Sequence, residues 1–203
     1  MRDPQNMAQL AQLDVDWMGL IFYDKSPRNV TTEPEAVLSS SQDLERVGVF
    51  VDEDLSTILS KVESYQLSLV QLHGGESPDF CTRVRNSGVK VIKAIPVREA
   101  SDLADLSKYE GSVDYILLDT KTQSKGGSGK KFDWSLLAHY TAKIDFILSG
   151  GIDPEDAASI TAVEHPRLKG VDLNSRFESS PGMKKIDQLK DFVSEIRSDV
   201  HAV

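Results

Sequence analysis

Strand-like and helix-like segments alternate along the whole of this chain, and the strand-like ones are apolar at consecutive positions. They fall at residues 14–22 (DVDWMGLIF), 46–51 (RVGVFV), 68–73 (SLVQLH), 89–95, 114–118 (DYILL), 146–148 (FIL) and 171–173. A strand apolar on both faces has to be covered on both, which is the situation of a parallel sheet under helices. The helices announce themselves by caps and spacing. Asp3-Pro4, Ser77-Pro78 and Asp153-Pro154 each place an N-cap before a proline at the first helical position, and Gly88 follows the helix that begins at Pro78. Leu55, Ile58, Leu59 and Val62 share one helical face, as do Ile186, Leu189, Phe192, Val193 and Ile196 in a last helix placed at 183–197. Each strand-helix unit occupies roughly 25 to 30 residues.

This pattern predicts one domain over residues 1–203, a (β/α)₈ barrel in which seven strands are present and the first is absent, because the chain opens on a helix. An open doubly wound sheet would announce a G-x-G-x-x-G after its first strand, and there is none. With a net charge of −9 and no long basic run, the chain has no nucleic-acid or anionic-membrane surface to offer. No apolar run approaches a membrane span and the first residues lack a signal-peptide layout, so a cytoplasmic location is expected. The single cysteine, Cys81, excludes an internal disulfide and a cysteine-built metal site, and its helix face with Phe80 and Val84 makes it a small buried hydrophobe.

In a parallel barrel the loops after the strands form the active face, so polar residues at strand ends can be collected from the sequence. They are Arg28, Asp52, Gln71, His73, Lys93, Asp119, Gly150, Gly151, Asp172, Asn174 and Ser175. Gly150-Gly151 either brings backbone N–H groups close to an anion or only turns the chain. Asp119 follows four apolar residues, so it is either an acid kept protonated at a dry mouth or a solvated cap. Arg28, on a loop stiffened by Pro27, has the planar fork that suits a carboxylate, and a surface role is the alternative. His73 is a structural histidine or a catalytic one. The other histidines have no acidic or cysteine partner at ligand spacing, so no metal is expected. The glycine-rich stretch 126–129 is a lid over the strand ends or an ordinary loop.

Taken in order, MRDPQN, GLIFYDKSPRNV, VGVFVDE, VQLHGGE, VIKAI, YILLDT, GGSGKKFDW, ILSGGIDPED and GVDLNSRFESSPGMK resemble the phosphoribosylanthranilate isomerase family over essentially the whole chain. The resemblance implies a cofactor-free (β/α)₈ barrel that carries out an Amadori rearrangement in tryptophan biosynthesis, converting an aminoaldose phosphate to an aminoketose phosphate. It assigns Asp119 as general acid and Arg28 as the holder of the anthranilate carboxylate. Gly150, Gly151, Ser175 and the Arg176 backbone would take the phosphate. His73 and Asp172 would support the substrate, and loop 126–129 would close over it. Two departures stand out. Arg176 occupies a position where the family has glycine. The family's first strand, Lys-apolar-Cys-Gly, whose cysteine is the general base, would precede Met1, so the expectation is a native product starting one strand earlier and weak activity from this chain. Unpaired strand edges would also invite association with another chain. A phosphate-binding relic without catalysis and another sugar-phosphate barrel enzyme, such as indole-3-glycerol-phosphate synthase with Lys93 as a catalytic lysine, are the competing readings.

Overall fold

The computed structural model describes residues 1–41, 44–120 and 133–200. The loop at 126–129 therefore lies outside the described residues. In chain order the elements are α1 (Pro4–Leu10), β1 (Trp17–Phe22), α2 (Pro34–Ser40), β2 (Glu45–Phe50), α3 (Leu55–Tyr65), β3 (Leu69–Leu72), α4 (Pro78–Arg85), β4 (Lys90–Val97), β5 (Tyr115–Thr120), β6 (Asp145–Leu148), α5 (Ala157–Thr161), β7 (Leu168–Val171), β8 (Glu178–Ser180), β9 (Met183–Lys184) and α6 (Ile186–Val200). Short 3₁₀ turns at Ala100–Leu103 and Leu106–Tyr109 take the place of a full helix after β4, and a third, Trp134–His139, precedes β6.

Strands β1 to β7 pair in sequence order into one parallel sheet. Among the described residues β1 and β7 are its edges, and the Met1 ammonium donates to the Gly19 carbonyl of β1 at 2.7 Å. Burial, countered only in part by nearby carboxylates, pushes the pKa of that amine down to about 5. Alternation along each strand splits the core in two. Val47, Leu69, Ile92, Ala94, Leu117 and Ile147 form the inner cluster, while Val70, Leu72, Val91, Ile116, Leu118, Phe146 and Leu148 face the helices. Both faces are buried, as the consecutive apolar runs require.

The caps work as their chemistry suggests. Asp3 accepts from the Asn6 amide at 2.7 Å, the Ser77 side chain accepts from the Phe80 amide at 3.3 Å, and Asp153 and Asp156 cap each other's backbone. Helix α2 carries no cap signal in the sequence: its N-cap Glu33 makes no side-chain cap, and only Val37 among its residues is buried. Two readings need correction. The last helix begins at Ile186, since Met183 and Lys184 instead pair antiparallel with Glu178–Ser180 around Gly182, whose φ is +85°. Strand β7 stops at Val171, leaving Leu173 beyond it. No helix among the described residues is long and apolar enough to cross a membrane.

Lys93 is the main correction to the strand-end set. It lies between Ile92 and Ala94 of the inner cluster, so it points the other way, into the helix layer. Its Nζ donates to Glu76 Oε2 at 2.9 Å and to the carbonyls of Leu72, Gly74 and Ala94 within 3.1 Å, with side chains 2% and 4% exposed. Glu76 in turn accepts from the amides of Asp52 and Gly74. The lysine is thus a strut that ties the loops after β2 and β3 to β4, and no substrate reaches it. Replacing Lys93 by methionine leaves the Glu76 carboxylate buried without its cation, and we expect a loss of about 3–5 kcal/mol. A fall in urea midpoint at unchanged m-value is the reading that checks it.

Candidate active site

The parity that sends Lys93 outward sends a different set inward at the same end of the sheet. Gln71 and His73 follow Leu69 at two-residue steps, Asp119 follows Leu117, and Ser149 follows Ile147, all on the inner face. Their carboxyl-terminal rim is therefore polar above an apolar floor. Contacts confirm the grouping. The Gln71 amide nitrogen is 2.8 Å from His73 Nδ1, and His73 Nε2 is 3.5 Å from Asp119 Oδ2. Ser149 Oγ donates to Asp172 Oδ2 at 2.9 Å, while the Asp172 amide continues the ladder to the Leu148 carbonyl at 2.7 Å.

Gly150 joins the acid to the glycine loop. Its φ of +82° is one that side chains rarely adopt, and a Cβ there would fall 2.6 Å from Asp119 Oδ1 and 2.3 Å from the Thr120 amide. Glycine is required on both counts. Thr120 Oγ1 donates to the Gly150 carbonyl at 3.1 Å, and the Ser149 amide to the Leu118 carbonyl at 2.9 Å, so the loop is fastened to β5. Gly151 continues the turn with φ +73°. Ser175 and Arg176 lie exposed in a 3₁₀ turn, Ser175–Phe177, after β7. The side chain of Asp119 is 32% exposed, so of the two settings its sequence leaves open, the dry mouth and the solvated strand end, it has the second. Its four apolar neighbours alternate between the two faces, and only Tyr115 and Leu117 lie on its own side.

Arg28 is held from the far end of the chain. Its Nε and Nη2 converge on Glu178 Oε2 at 2.8 and 2.7 Å, Nε also donates to Oε1 at 3.2 Å, and Lys184 Nζ reaches the same carboxylate at 3.3 Å. Lys184 also donates to the Leu173 carbonyl and to Asn174 Oδ1, which ties the hairpin to the segment after β7. Burial acts to raise the pKa of Glu178, but Arg28 and Lys184 outweigh it and hold the carboxyl below the usual carboxylate range. Burial lowers the pKa of Lys184, offset in part by Glu178. Two cations on one carboxylate leave this corner of the rim positive. Neither Glu178 nor Lys184 stands out in the sequence, since their hairpin has no apolar periodicity; Ser149 could have been found by counting two residues on from Ile147.

His73, Asp119 and Gly150 are thus brought together, Asp172 joins them through Ser149, and Arg28 stands with Glu178 and Lys184 on the β8–β9 side. Cys81 is buried in α4, and burial raises its thiol pKa to about 11, which keeps it protonated and unreactive. Among the described residues no three His, Cys, Asp or Glu side chains group as a metal site.

The low folded pKa of Glu178 fixes a sign. Stability from the Arg28–Glu178–Lys184 cluster is fully present above the ordinary glutamate pKa of about 4.3 and is lost as pH falls through the lower folded value. Glu178→Gln should therefore lose less stability than the parent as pH is lowered from about 5 to 3, measured by urea unfolding across that range.

A family model for N-(5'phosphoribosyl)anthranilate (PRA) isomerase matches residues 1–195. The N-(5'-phosphoribosyl)anthranilate isomerase of Parabacteroides distasonis is 45% identical over 199 residues, covering 97% of this chain and 90% of that protein. The crystal structure of phosphoribosyl anthranilate isomerase from Thermotoga maritima superposes with a TM-score of 0.83 at 34% identity, covering 98% of this chain and 96% of that one. A phosphoribosyl anthranilate isomerase solved with reduced 1-(o-carboxyphenylamino)-1-deoxyribulose 5-phosphate gives a TM-score of 0.80 at 31% identity, over 98% and 95% of the two chains.

Proposed function

The chain belongs to the N-(5'-phosphoribosyl)anthranilate isomerase family, an α/β barrel enzyme family of tryptophan biosynthesis, and on that premise we propose how its rim divides the work. Asp119 is the general acid. Its Oδ1 lies beside Gly150, so a substrate whose phosphate rests on the Gly150-Gly151 turn, with the amides around Ser175 and Arg176, would bring its sugar ring over that carboxyl group. The relative solved with a reduced aminoketose phosphate holds a ligand of this class.

In the reaction Asp119 gives its proton to the ring oxygen as the C1′–O bond breaks and the nitrogen lone pair forms the C=N bond. Removal of the C2′ proton then returns the electrons through an enamine to the ketone product. Arg28 takes the anthranilate carboxylate. Glu178 occupies the Nε–Nη2 edge of its guanidinium, which fixes the plane of the fork and leaves the Nη1 end for a second carboxylate. Asp172, held by Ser149, and His73 line the same rim.

The observation that carries this reading is the contact of His73, Asp119 and Gly150 on one rim. Asp119→Asn keeps the shape and removes the acidic proton, and should lower kcat by about 10²- to 10⁴-fold in a steady-state assay on N-(5'-phosphoribosyl)anthranilate. Unchanged turnover would remove the carboxyl group from the mechanism.

The C2′ proton also needs a base, and Cys81 does not supply it, being buried and protonated.

A further inference from the structure

Gln71 is buried one step below the rim, on the inner face of β3, and its amide meets the His73 ring rather than substrate space. The chemistry of that contact is directional. A side-chain amide nitrogen carries only N–H groups, so at 2.8 Å it donates, and His73 Nδ1 has to be the acceptor. A neutral imidazole with its lone pair on Nδ1 keeps its proton on Nε2. Nε2 is the atom that faces Asp119, 3.5 Å from Oδ2, a distance typical of a contact that tightens when substrate binds. The other carboxyl oxygen, Oδ1, faces Gly150.

We propose that Gln71 and His73 are positioning residues for the acid. The Gln71 amide fixes the neutral His73 ring with its proton on Nε2, and that N–H holds Asp119 Oδ2, so that Oδ1 is the oxygen that carries and delivers the proton. This rests on the reading of Asp119 as the general acid and deepens it. The two oxygens of a carboxyl group are otherwise equivalent, and a proton on Oδ2 would point away from the glycine loop. A donor N–H at Oδ2 excludes the proton from that oxygen. The same N–H then stabilises the carboxylate left behind when Oδ1 has given its proton to the ring oxygen, an interaction that is stronger in the transition state than before it. His73 itself neither gains nor loses a proton.

Among the described residues, the charged groups named around this pair are already engaged. Asp172 accepts from Ser149, and Lys93 and Glu76 close on each other on the opposite face of the sheet. Gln71 is therefore the group that sets the His73 proton. The residue pattern also distinguishes this arrangement from plain packing: an apolar side chain at position 71 would fill the same space, but would leave the imidazole free to turn over or to take a second proton.

The test compares Gln71→Glu and Gln71→Met with the parent, and His73→Gln with His73→Leu, on the full chain. A carboxylate at position 71 accepts from Nδ1, makes His73 an imidazolium and keeps Asp119 ionised. For Gln71→Glu the expected result is a fall in kcat of about tenfold or more with KM within about twofold, and a high-pH limb of kcat displaced to lower pH. The methionine variant, close in volume, should lie between it and the parent. His73→Gln restores an N–H near the Nε2 position and should keep kcat within about threefold of the parent, whereas His73→Leu should lose about tenfold or more. Long-range ¹H–¹⁵N spectra of the imidazole should show the Nε2–H form in the parent and the doubly protonated form in Gln71→Glu, and they also report folding of each variant. Parent-like kcat in both Gln71→Glu and His73→Leu, with Asp119→Asn inactive, overturns the relay and leaves the acid in place. An active Asp119→Asn removes the acid and the relay together. An Nδ1–H tautomer in the parent overturns the relay directly.

Discussion

Everything at this rim follows from two properties of a parallel ladder. All seven strands deliver their carboxyl ends to one side, and the pleat sends alternate side chains to opposite faces. A single-residue change of parity would put Asp119 among the helices and Lys93 in the interior. The sheet cannot tolerate that exchange, because Leu117 and Leu118 are both buried but in different clusters. The hydrophobic sorting of the strands is thus also the sorting of the chemistry: the same alternation that buries Ile92 and Ala94 on the inside places Gln71, His73, Asp119 and Ser149 above them.

This is also why the fold was legible and the site only partly so. Consecutive apolar runs with capped helices between them define a parallel sheet covered on both sides, and Asp3, Ser77 and Asp153 cap where their identity and spacing say they should. Strand-end polar residues can be collected from the sequence, but strand ends alone carry no parity, so such a set admits Lys93 and omits Ser149. For Asp119, counting apolar neighbours leaves a dry mouth and a solvated strand end both open, because the count does not say which face each neighbour serves. What local sequence does not encode is pairing over distance. The Arg28–Glu178 contact joins residues 150 apart, and the hairpin that supplies Glu178 and Lys184 is too short and too polar to announce itself.

The two halves of the rim are built on different principles. On the β3–β6 side the groups are neutral or singly charged and are held by short polar contacts with neighbours of fixed direction, as from Gln71 to His73 and from Ser149 to Asp172. On the β8–β9 side they are held by charge, with Arg28 and Lys184 sharing one carboxylate that is only 3% exposed. Proton transfer needs the first kind of control, since it depends on which atom bears the hydrogen. Holding a carboxylate needs the second, since a guanidinium fork must keep its plane while remaining charged.

The long reach of the Arg28–Glu178 pair has a consequence for how the protein is made. Domains emerge from the ribosome amino end first, and the strands of this sheet can add one after another in the order in which they are translated. The corner around Arg28 cannot. Arg28 is made some 150 residues before Glu178 and waits through most of synthesis for its counter-ion, so a nascent chain can own a nearly complete sheet and still lack the charged corner of its rim.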